Sequence, residues 1–204
     1  MGEMTVQTAA LLAAVIGYLL GSIPFGVVLT RLAGGGDLRA VGSGNIGATN
    51  VLRTGRKGLA AATLALDALK GTAAVLIARA LDPNVAVYGA VWAFVGHLYP
   101  VWLRFRGGKG VATLLGVLLG LHPLTALASA VAWIGGMAAT RISSVGGMLC
   151  ALVAPVAAAL LGRLDVMLFG IGAGLLVLWR HRGNIARLFA GTEPKIGQGV
   201  RADG

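Results

Sequence analysis

The sequence predicts an all-α protein that crosses a membrane several times. Hydrophobic residues make up 57% of the 204-residue chain and charged residues only 12%, and the mean hydropathy is +0.84. A soluble domain is typically about 45–50% apolar and about 25% charged. Because the apolar residues form long continuous runs rather than short alternating segments, we expect helices rather than membrane-spanning strands.

The apolar runs predict the helices in order, within a single domain that covers residues 1–204. A helix needs about 20 apolar residues to cross a bilayer. The first three spans are predicted at about Gln7–Ala33, Gly58–Leu81 and Asn84–Leu103. Two further spans are predicted at Ser143–Gly162 and Asp165–Trp179, and a polar tail follows from Arg180.

The run Gly110–Thr140 is ambiguous, because it is either one overlong helix or two short helices with a turn at His122-Pro123. Proline disfavours the helical conformation of the residue before it. Basic residues flank the run on both sides, and such residues collect on the cytoplasmic side of a membrane. Two flanks on one side require an even number of helices between them. This reasoning predicts seven transmembrane helices.

The distribution of charge also predicts the orientation of the chain, with the N-terminus outside and the C-terminus cytoplasmic. In this arrangement only Arg79 and Arg163 fall on the outer side, and Lys70 lies within a span. The other lysines and arginines, up to Arg201, then lie on the inner side or at its boundary, where basic residues collect.

Three polar segments fall on the predicted inner side, namely Gly42–Lys57, Gly96–Thr113 and Trp179–Gly197. Each combines glycines, hydroxyl or amide side chains and basic residues, a combination that suits anion binding. Charge that only sets topology would explain the basic residues but not the glycines, hydroxyls and amides. The side chains that could surround one or two phosphates are Ser43, Thr49, Arg53, Arg104, Arg106, Lys109, His181 and Arg182.

Known catalytic motifs are missing from these segments. Lys109 is followed by Gly110 rather than by Ser or Thr, so the loop is not that of a nucleoside triphosphatase. The seven acidic residues are too scattered for a two-metal site, and no G-x-S-x-G nucleophile motif occurs. The sequence therefore predicts no metal and no cofactor. No separate basic helix suggests nucleic acid, and no obligate protein partner is indicated.

Asp67 and Lys70 form an ionisable pair within the second span. They are three residues apart and therefore lie on one helix face. One interpretation is that they neutralise each other and stabilise helix packing. The alternative is that Lys70 extends the anion site, since ionisable residues inside a membrane are costly and commonly functional.

The chain resembles the bacterial acyl-phosphate:glycerol-3-phosphate acyltransferase family of the PlsY type. The resemblance rests on "GSIPFG", "GSGNIGATNVLR", "LDALKG", "GHLYPVWLRFRGGKGVAT" and "RHRGNIARLFAGTEPKIG", which occur in family order along nearly the whole chain. It implies a seven-helix enzyme of the bacterial inner membrane with a cytoplasmic active site. Such enzymes transfer a fatty acyl group from acyl phosphate to the 1-hydroxyl of glycerol 3-phosphate, which yields lysophosphatidic acid and phosphate and begins phospholipid synthesis.

The resemblance also implies roles for individual residues. Catalytic roles fall to Ser43, Arg53 and Lys109. Substrate contacts, or the shaping of the loops that make them, fall to Asn45, Thr49, Asn50, Gly107, Gly108, Gly110, Ser143, His181 and Asn184. Ser144 is an alternative to Ser143, and Glu193 matches a recurrent acid that would pair with a nearby base. His97 and His122 are expected to be structural.

Two other functions share some of these features. A transporter of an organic phosphate would also have a basic inner side, but transporters commonly contain inverted repeats and helices broken at the midplane. We find no convincing internal repeat. A scaffold with a basic lipid-binding face is the other alternative, and for it charge alone should suffice.

Overall fold

The computed structural model describes residues 4–197, and all regular secondary structure within this range is helical. Residues 1–3 and 198–204 lie outside the described residues. Arg201, which the charge pattern assigns to the inner side, is among them. The prediction of an all-α protein is therefore confirmed over the described range.

The first predicted span, Gln7–Ala33, corresponds to one apolar segment, Val6–Leu32, that is long enough to cross a membrane and consists of two helices. Helix α1 covers Val6–Ser22 and helix α2 covers Phe25–Leu32. The break follows from Pro24, which has no N–H to donate and excludes the helical conformation from the residue before it. Ile23 is accordingly extended, with φ −64° and ψ 115°. Its carbonyl oxygen instead accepts a hydrogen bond of 2.7 Å from Lys70 Nζ.

The remaining spans follow the predicted order, and two short helices lie in segments that the sequence predicts to be polar loop or tail. A short helix, α3, covers Ala48–Arg53, and α4 and α5 cover Lys57–Leu81 and Ala86–Leu98. The ambiguous run forms two helices, α6 (Val111–Leu121) and α7 (Pro123–Thr140). The last three helices are α8 (Ser143–Leu160), α9 (Leu164–Arg180) and α10 (Arg182–Phe189).

The turn between α6 and α7 has a local cause. His122 is extended, with φ −154° and ψ 100°, and Pro123 occupies the first turn of α7, where its missing N–H costs nothing. The Nδ1 atom of His122 lies 2.9 Å from the Thr125 hydroxyl. His122 therefore occupies the N-cap position of α7 and contacts a side chain of its first turn, as a structural histidine would.

The described helices include five segments that are long and apolar enough to cross a membrane. The number rises to six if α9 and α10, which meet at a bend of 58°, count as one span. Helix α6 has only 11 residues, a length of about 16 Å against a hydrocarbon core of about 30 Å. The membrane character of the fold is thus clear, whereas the count of seven spans stays a prediction.

Many large apolar side chains face outward, which suits a bilayer, and small residues occupy many of the helix contacts inside the bundle. Leu160 is 84% exposed and Leu11 66% exposed. Inside, Gly116 packs directly on the backbone of Ala68, where any side chain would collide. Without a hydrophobic driving force in lipid, such close backbone approach is a main source of helix association.

The connections between helices bring four segments to one end of the bundle. These are the loop before α3, the loop before α6, the start of α8 and the junction of α9 with α10, which all line one cavity. The pairs α4–α5, α6–α7 and α8–α9 each leave this end and return to it. Residues that are far apart in the sequence therefore meet here.

Candidate active site

The cavity opens to the surface, and the space inside it that a water-sized sphere can occupy is about 100 Å³. Ten of the residues to which the resemblance assigns site roles line the cavity, and they come from all three predicted polar segments and from α8. They are Ser43, Asn45, Thr49, Asn50, Arg53, Lys109, Gly110, Ser143, His181 and Asn184. The predicted residues that do not line the cavity are Gly107 and Gly108, together with Arg104, Arg106 and Arg182.

The first wall is the loop that leads into α3. Gly42 and Gly44 have positive φ values of 54° and 67°, which only glycine adopts without strain. The buried Asn50 amide donates to the carbonyls of Leu38 and Val41 at 3.0 and 2.9 Å and accepts from Ser43 N at 3.3 Å. Asn50 thus stabilises the loop from below, and the Ser43 side chain remains exposed at the cavity.

The second wall is the loop that carries Lys109. The amides of Gly107 and Gly108 donate to the carbonyls of Leu98 and His97 at 3.1 and 3.0 Å. Their own carbonyls accept from Arg180, at 2.5 and 3.0 Å respectively. A β-carbon at Gly108 would collide with the His97 imidazole. These two glycines therefore shape the loop, while Gly110, with φ 91°, lines the cavity at the start of α6.

Lys109 extends from this loop across to the third segment. Its Nζ atom donates to Asn184 Oδ1 at 2.5 Å. Burial lowers the pKa of Lys109 to about 8, with Glu193 opposing and Arg187, Arg53 and Arg180 adding to the shift. A cation that is partly stripped of water and surrounded by like charges is stabilised by an anion, so the site is built to receive one.

Glu193 organises the residues behind Lys109. Its Oε1 atom accepts from Asn184 Nδ2 at 2.5 Å and from Ser144 Oγ at 2.7 Å, and Oε2 accepts from Arg187 Nε at 2.7 Å. Burial alone would raise the pKa of Glu193, but these three donors together lower it. The pairing of Glu193 with a base is as the sequence predicts.

Both Ser143 and Ser144 line the cavity, yet their hydroxyls differ in availability. Ser144 is buried and donates to Glu193, whereas Ser143 is only partly buried. The donor of Ser143 therefore remains available to a ligand.

His181 lies beyond the end of α9 and is buried. Its Nδ1 atom lies 2.8 Å from the carbonyl oxygen of Val177. Because a carbonyl only accepts, Nδ1 carries the hydrogen. Burial, with Lys109 nearby, lowers the pKa of His181 to about 4. The ring is therefore neutral near pH 7, and Nε2 is left as a hydrogen-bond acceptor.

The structure adds cavity residues that the sequence did not single out for this role. Asp67 and His97 line the cavity from α4 and α5, and Leu64, Ala112 and Trp133 form an apolar part of its wall. The spacing of Asp67 and Lys70 placed the pair on one helix face but did not show that Asp67 lines the cavity. His97, expected to be structural, carried no signal that would place it at a cavity.

Comparisons with known proteins agree with this arrangement. Residues 11–191 match the family described as glycerol-3-phosphate acyltransferase. A protein of that name from Mesorhizobium japonicum is 58% identical over 187 residues, which cover 92% of this chain and 96% of the relative. One from Agrobacterium fabrum is 58% identical over 188 residues, 92% of each chain.

Solved structures agree as well. The crystal structure of the integral membrane glycerol 3-phosphate acyltransferase PlsY (YgiH) in its glycerol 3-phosphate form has a TM-score of 0.87 and 40% identity, covering 92% of this chain and 96% of that one. The lysophosphatidic acid form has a TM-score of 0.85 and 38% identity, covering 92% and 95%. The chain described here therefore belongs to the glycerol-3-phosphate acyltransferase family.

Proposed function

We propose that this protein transfers a fatty acyl group from acyl phosphate to the 1-hydroxyl of sn-glycerol 3-phosphate. The products are lysophosphatidic acid and inorganic phosphate, in the first acylation step of bacterial phospholipid synthesis. The observation that carries the proposal is the position of Lys109, a half-buried cation that faces hydroxyl, amide and guanidinium groups from three segments of the chain. The family membership and the forms in which PlsY was crystallised support the choice of acceptor and product.

We place the protein in the bacterial cytoplasmic membrane, with seven spans and the cavity facing the cytoplasm. Three helix pairs that leave and return to the cavity end contribute six passes, and α1 with α2 contributes the seventh. The basic loops Arg53–Lys57 and Arg104–Lys109 lie at this end, and basic loops favour the cytoplasmic side.

Acyl phosphate suits the cavity because it is an activated mixed anhydride. Its leaving group is phosphate, so transfer requires no covalent intermediate on the enzyme. The obstacle is to bring two phosphate-bearing substrates together. Arg53 and Lys109 supply the positive charge for this, and the Ser43 and Thr49 hydroxyls supply directional donors, so catalysis arises from positioning and from electrostatic stabilisation.

In the reaction, the 1-oxygen of glycerol 3-phosphate attacks the acyl carbonyl carbon. The bond between that carbon and the phosphate oxygen breaks, and the hydroxyl proton passes to a substrate phosphate oxygen. Neutral His181 presents Nε2 as an acceptor that can align a glycerol hydroxyl. With a pKa of about 4, His181 is too weak a base to hold the proton near pH 7, so it orients the nucleophile.

The acyl chain of the donor requires an apolar path out of the polar site. Leu64 on α4, Ala112 on α6 and Trp133 on α7 line the cavity between helices that otherwise face lipid. We assign the first carbons of the acyl chain to this side, because burying apolar surface there removes it from water.

The test is an assay of the purified protein with acyl phosphate and glycerol 3-phosphate, in which lysophosphatidic acid and phosphate are both measured. Acyl-CoA in place of acyl phosphate serves as the donor control, and we expect product from acyl phosphate alone. Transport of glycerol 3-phosphate into vesicles without any acyl product would overturn the proposal.

A further inference from the structure

A buried polar cluster of Asp67, Lys70 and His97 borders the cavity. Lys70 Nζ donates to Asp67 Oδ1 at 2.6 Å, and His97 Nδ1 lies 3.7 Å from the same oxygen. The three residues are 2–4% exposed. Lys70 also donates to the Ile23 carbonyl at the break between α1 and α2, so its structural role is plain. The roles of Asp67 and His97 are not explained by this contact.

Asp67 and His97 reach the cavity, whereas Lys70 does not. Asp67 is the only acid among the described residues that line the cavity. Lys70 occupies Oδ1, and no described group donates a hydrogen bond to Oδ2. The His97 Nδ1 atom is buried without a hydrogen-bond partner among the described residues. Unsatisfied buried polar groups are rare in folded proteins, and each requires an explanation.

A carboxylate in a phosphate site is unfavourable unless it binds a group that is not an anion. A hydroxyl group meets this condition, because it donates to a carboxylate and at the same time accepts from an imidazole N–H. Lys70 neutralises the charge of Asp67 at 2.6 Å and so reduces its repulsion of the bound phosphates. The cluster is therefore complementary to an alcohol beside a phosphate.

We propose that Asp67 and His97 bind the 2-hydroxyl group of the glycerol phosphate acceptor. This assignment rests on the proposed function, in which the phosphate of the acceptor binds the basic residues and the 1-hydroxyl attacks the acyl phosphate. The 2-hydroxyl is the polar group that then remains without a partner. Asp67 thereby selects a polyol phosphate over a phosphate of the same length that lacks this hydroxyl.

The experiment compares glycerol 3-phosphate with 3-hydroxypropyl phosphate, which keeps the phosphate and the nucleophilic hydroxyl but lacks the 2-hydroxyl. Binding is measured by calorimetry and kcat/KM by product formation, for the wild type and for Asp67→Asn. A hydrogen bond to a charged group corresponds to a preference of about tenfold to a hundredfold for glycerol 3-phosphate in the wild type. We expect Asp67→Asn to reduce this preference to less than about threefold, mainly by weakening the binding of glycerol 3-phosphate.

A second variant protects the test against misfolding. Asp67→Asn combined with Lys70→Gln removes both charges and keeps a donor for the Ile23 carbonyl, and we expect the same loss of preference. The matched control is Thr72→Val, which removes a hydrogen bond of 2.7 Å from α4 to the Gly116 carbonyl outside the cavity. It should leave the preference for glycerol 3-phosphate unchanged.

Two results would overturn the assignment. One is equal binding of both phosphate compounds by the wild type. The other is an Asp67→Asn variant that binds both compounds more weakly by the same factor, which is the result expected if Asp67 has only a structural role. Calorimetry needs no turnover, so the binding of the two phosphate compounds can be compared even if no acyl group is transferred. A wild type that forms lysophosphatidic acid but shows no preference for glycerol 3-phosphate over 3-hydroxypropyl phosphate would overturn this assignment and leave the proposed function intact.

Discussion

Glu193 offers the sharpest test of how the cavity is held together. The side chain is 4% exposed and accepts three hydrogen bonds, one of them from Arg187. In Glu193→Gln the acceptor for Asn184 and Ser144 can remain, while an amide NH₂ faces the guanidinium. A hydrogen bond to a charged group contributes about 1.5–3 kcal/mol. Because Arg187 is 42% exposed and solvent screens it, we expect a loss of about 1–2 kcal/mol in the free energy of unfolding.

The assay is thermal or denaturant unfolding of the purified protein in detergent, with Asp165→Asn as the matched control. Asp165 also pairs with an arginine, Arg163, at 2.9 Å, but the two side chains are 46% and 36% exposed. An exposed ion pair contributes little, so we expect the control to change stability by less than about 0.5 kcal/mol.

The same residue links stability to the site. Glu193→Ala removes the acceptor for Asn184 and Ser144, and each buried donor left unsatisfied costs about 1–3 kcal/mol. Asn184 then no longer holds its oxygen toward Lys109, so KM for glycerol 3-phosphate should rise by about tenfold, the effect of about 1.4 kcal/mol. Equal destabilisation by Glu193→Gln and Asp165→Asn, or a KM that Glu193→Ala leaves unchanged, would refute this reasoning.

Three further predictions concern the phosphate site. Ser43→Ala and Lys109→Arg should each lower kcat/KM by about tenfold to a hundredfold through lost contacts to charged phosphate. The control Lys57→Arg, at the same end of the bundle but outside the cavity, should have a kcat/KM near that of the wild type. Near-normal rates in both site variants would exclude the proposed phosphate contacts. Lys109 loses its charge above its pKa of about 8. The affinity for glycerol 3-phosphate should therefore fall as the pH rises, by an amount that approaches about tenfold for each pH unit. An affinity that stays constant up to pH 10 would contradict the proposed role of Lys109. Gly108→Ala should abolish most activity because its side chain meets an imidazole, whereas Gly172→Ala, where nothing lies within 4 Å, should be silent in the same acyl-transfer assay.

The helices were largely predictable because lipid imposes a simple rule on the sequence. Every backbone group in the bilayer must be satisfied within its own segment, so spans appear as long apolar runs. The first span, Val6–Leu32, was predicted by the same rule, but the break within it was not. The run through Ile23 and Pro24 is apolar throughout, and hydropathy does not register the conformational effect of proline. At His122-Pro123 a polar residue accompanied the proline, and there the break was predicted.

The site was predictable to the extent that its chemistry is local. Glycines, hydroxyls and cations cluster within each polar segment, and their family order identified Ser43, Lys109 and His181 as neighbours. Sequence spacing carried no information on hydrogen bonds between helices. Ser144 and Glu193 are 49 residues apart, and only the fold shows that Glu193 occupies the Ser144 hydroxyl and leaves Ser143 available.

By itself, the sequence determined the membrane class and the order of the spans and predicted an anion-binding chemistry, since composition and local pattern are properties of the chain alone. The tertiary structure decided which side chains share the cavity. It brings Asp67 and His97, 30 positions apart, to the wall of the cavity, and it sets how deeply Lys109 and His181 are buried. Burial and hydrogen-bond partners depend on helix packing, and only that packing places an acid, a partly buried lysine and a neutral histidine around one cavity.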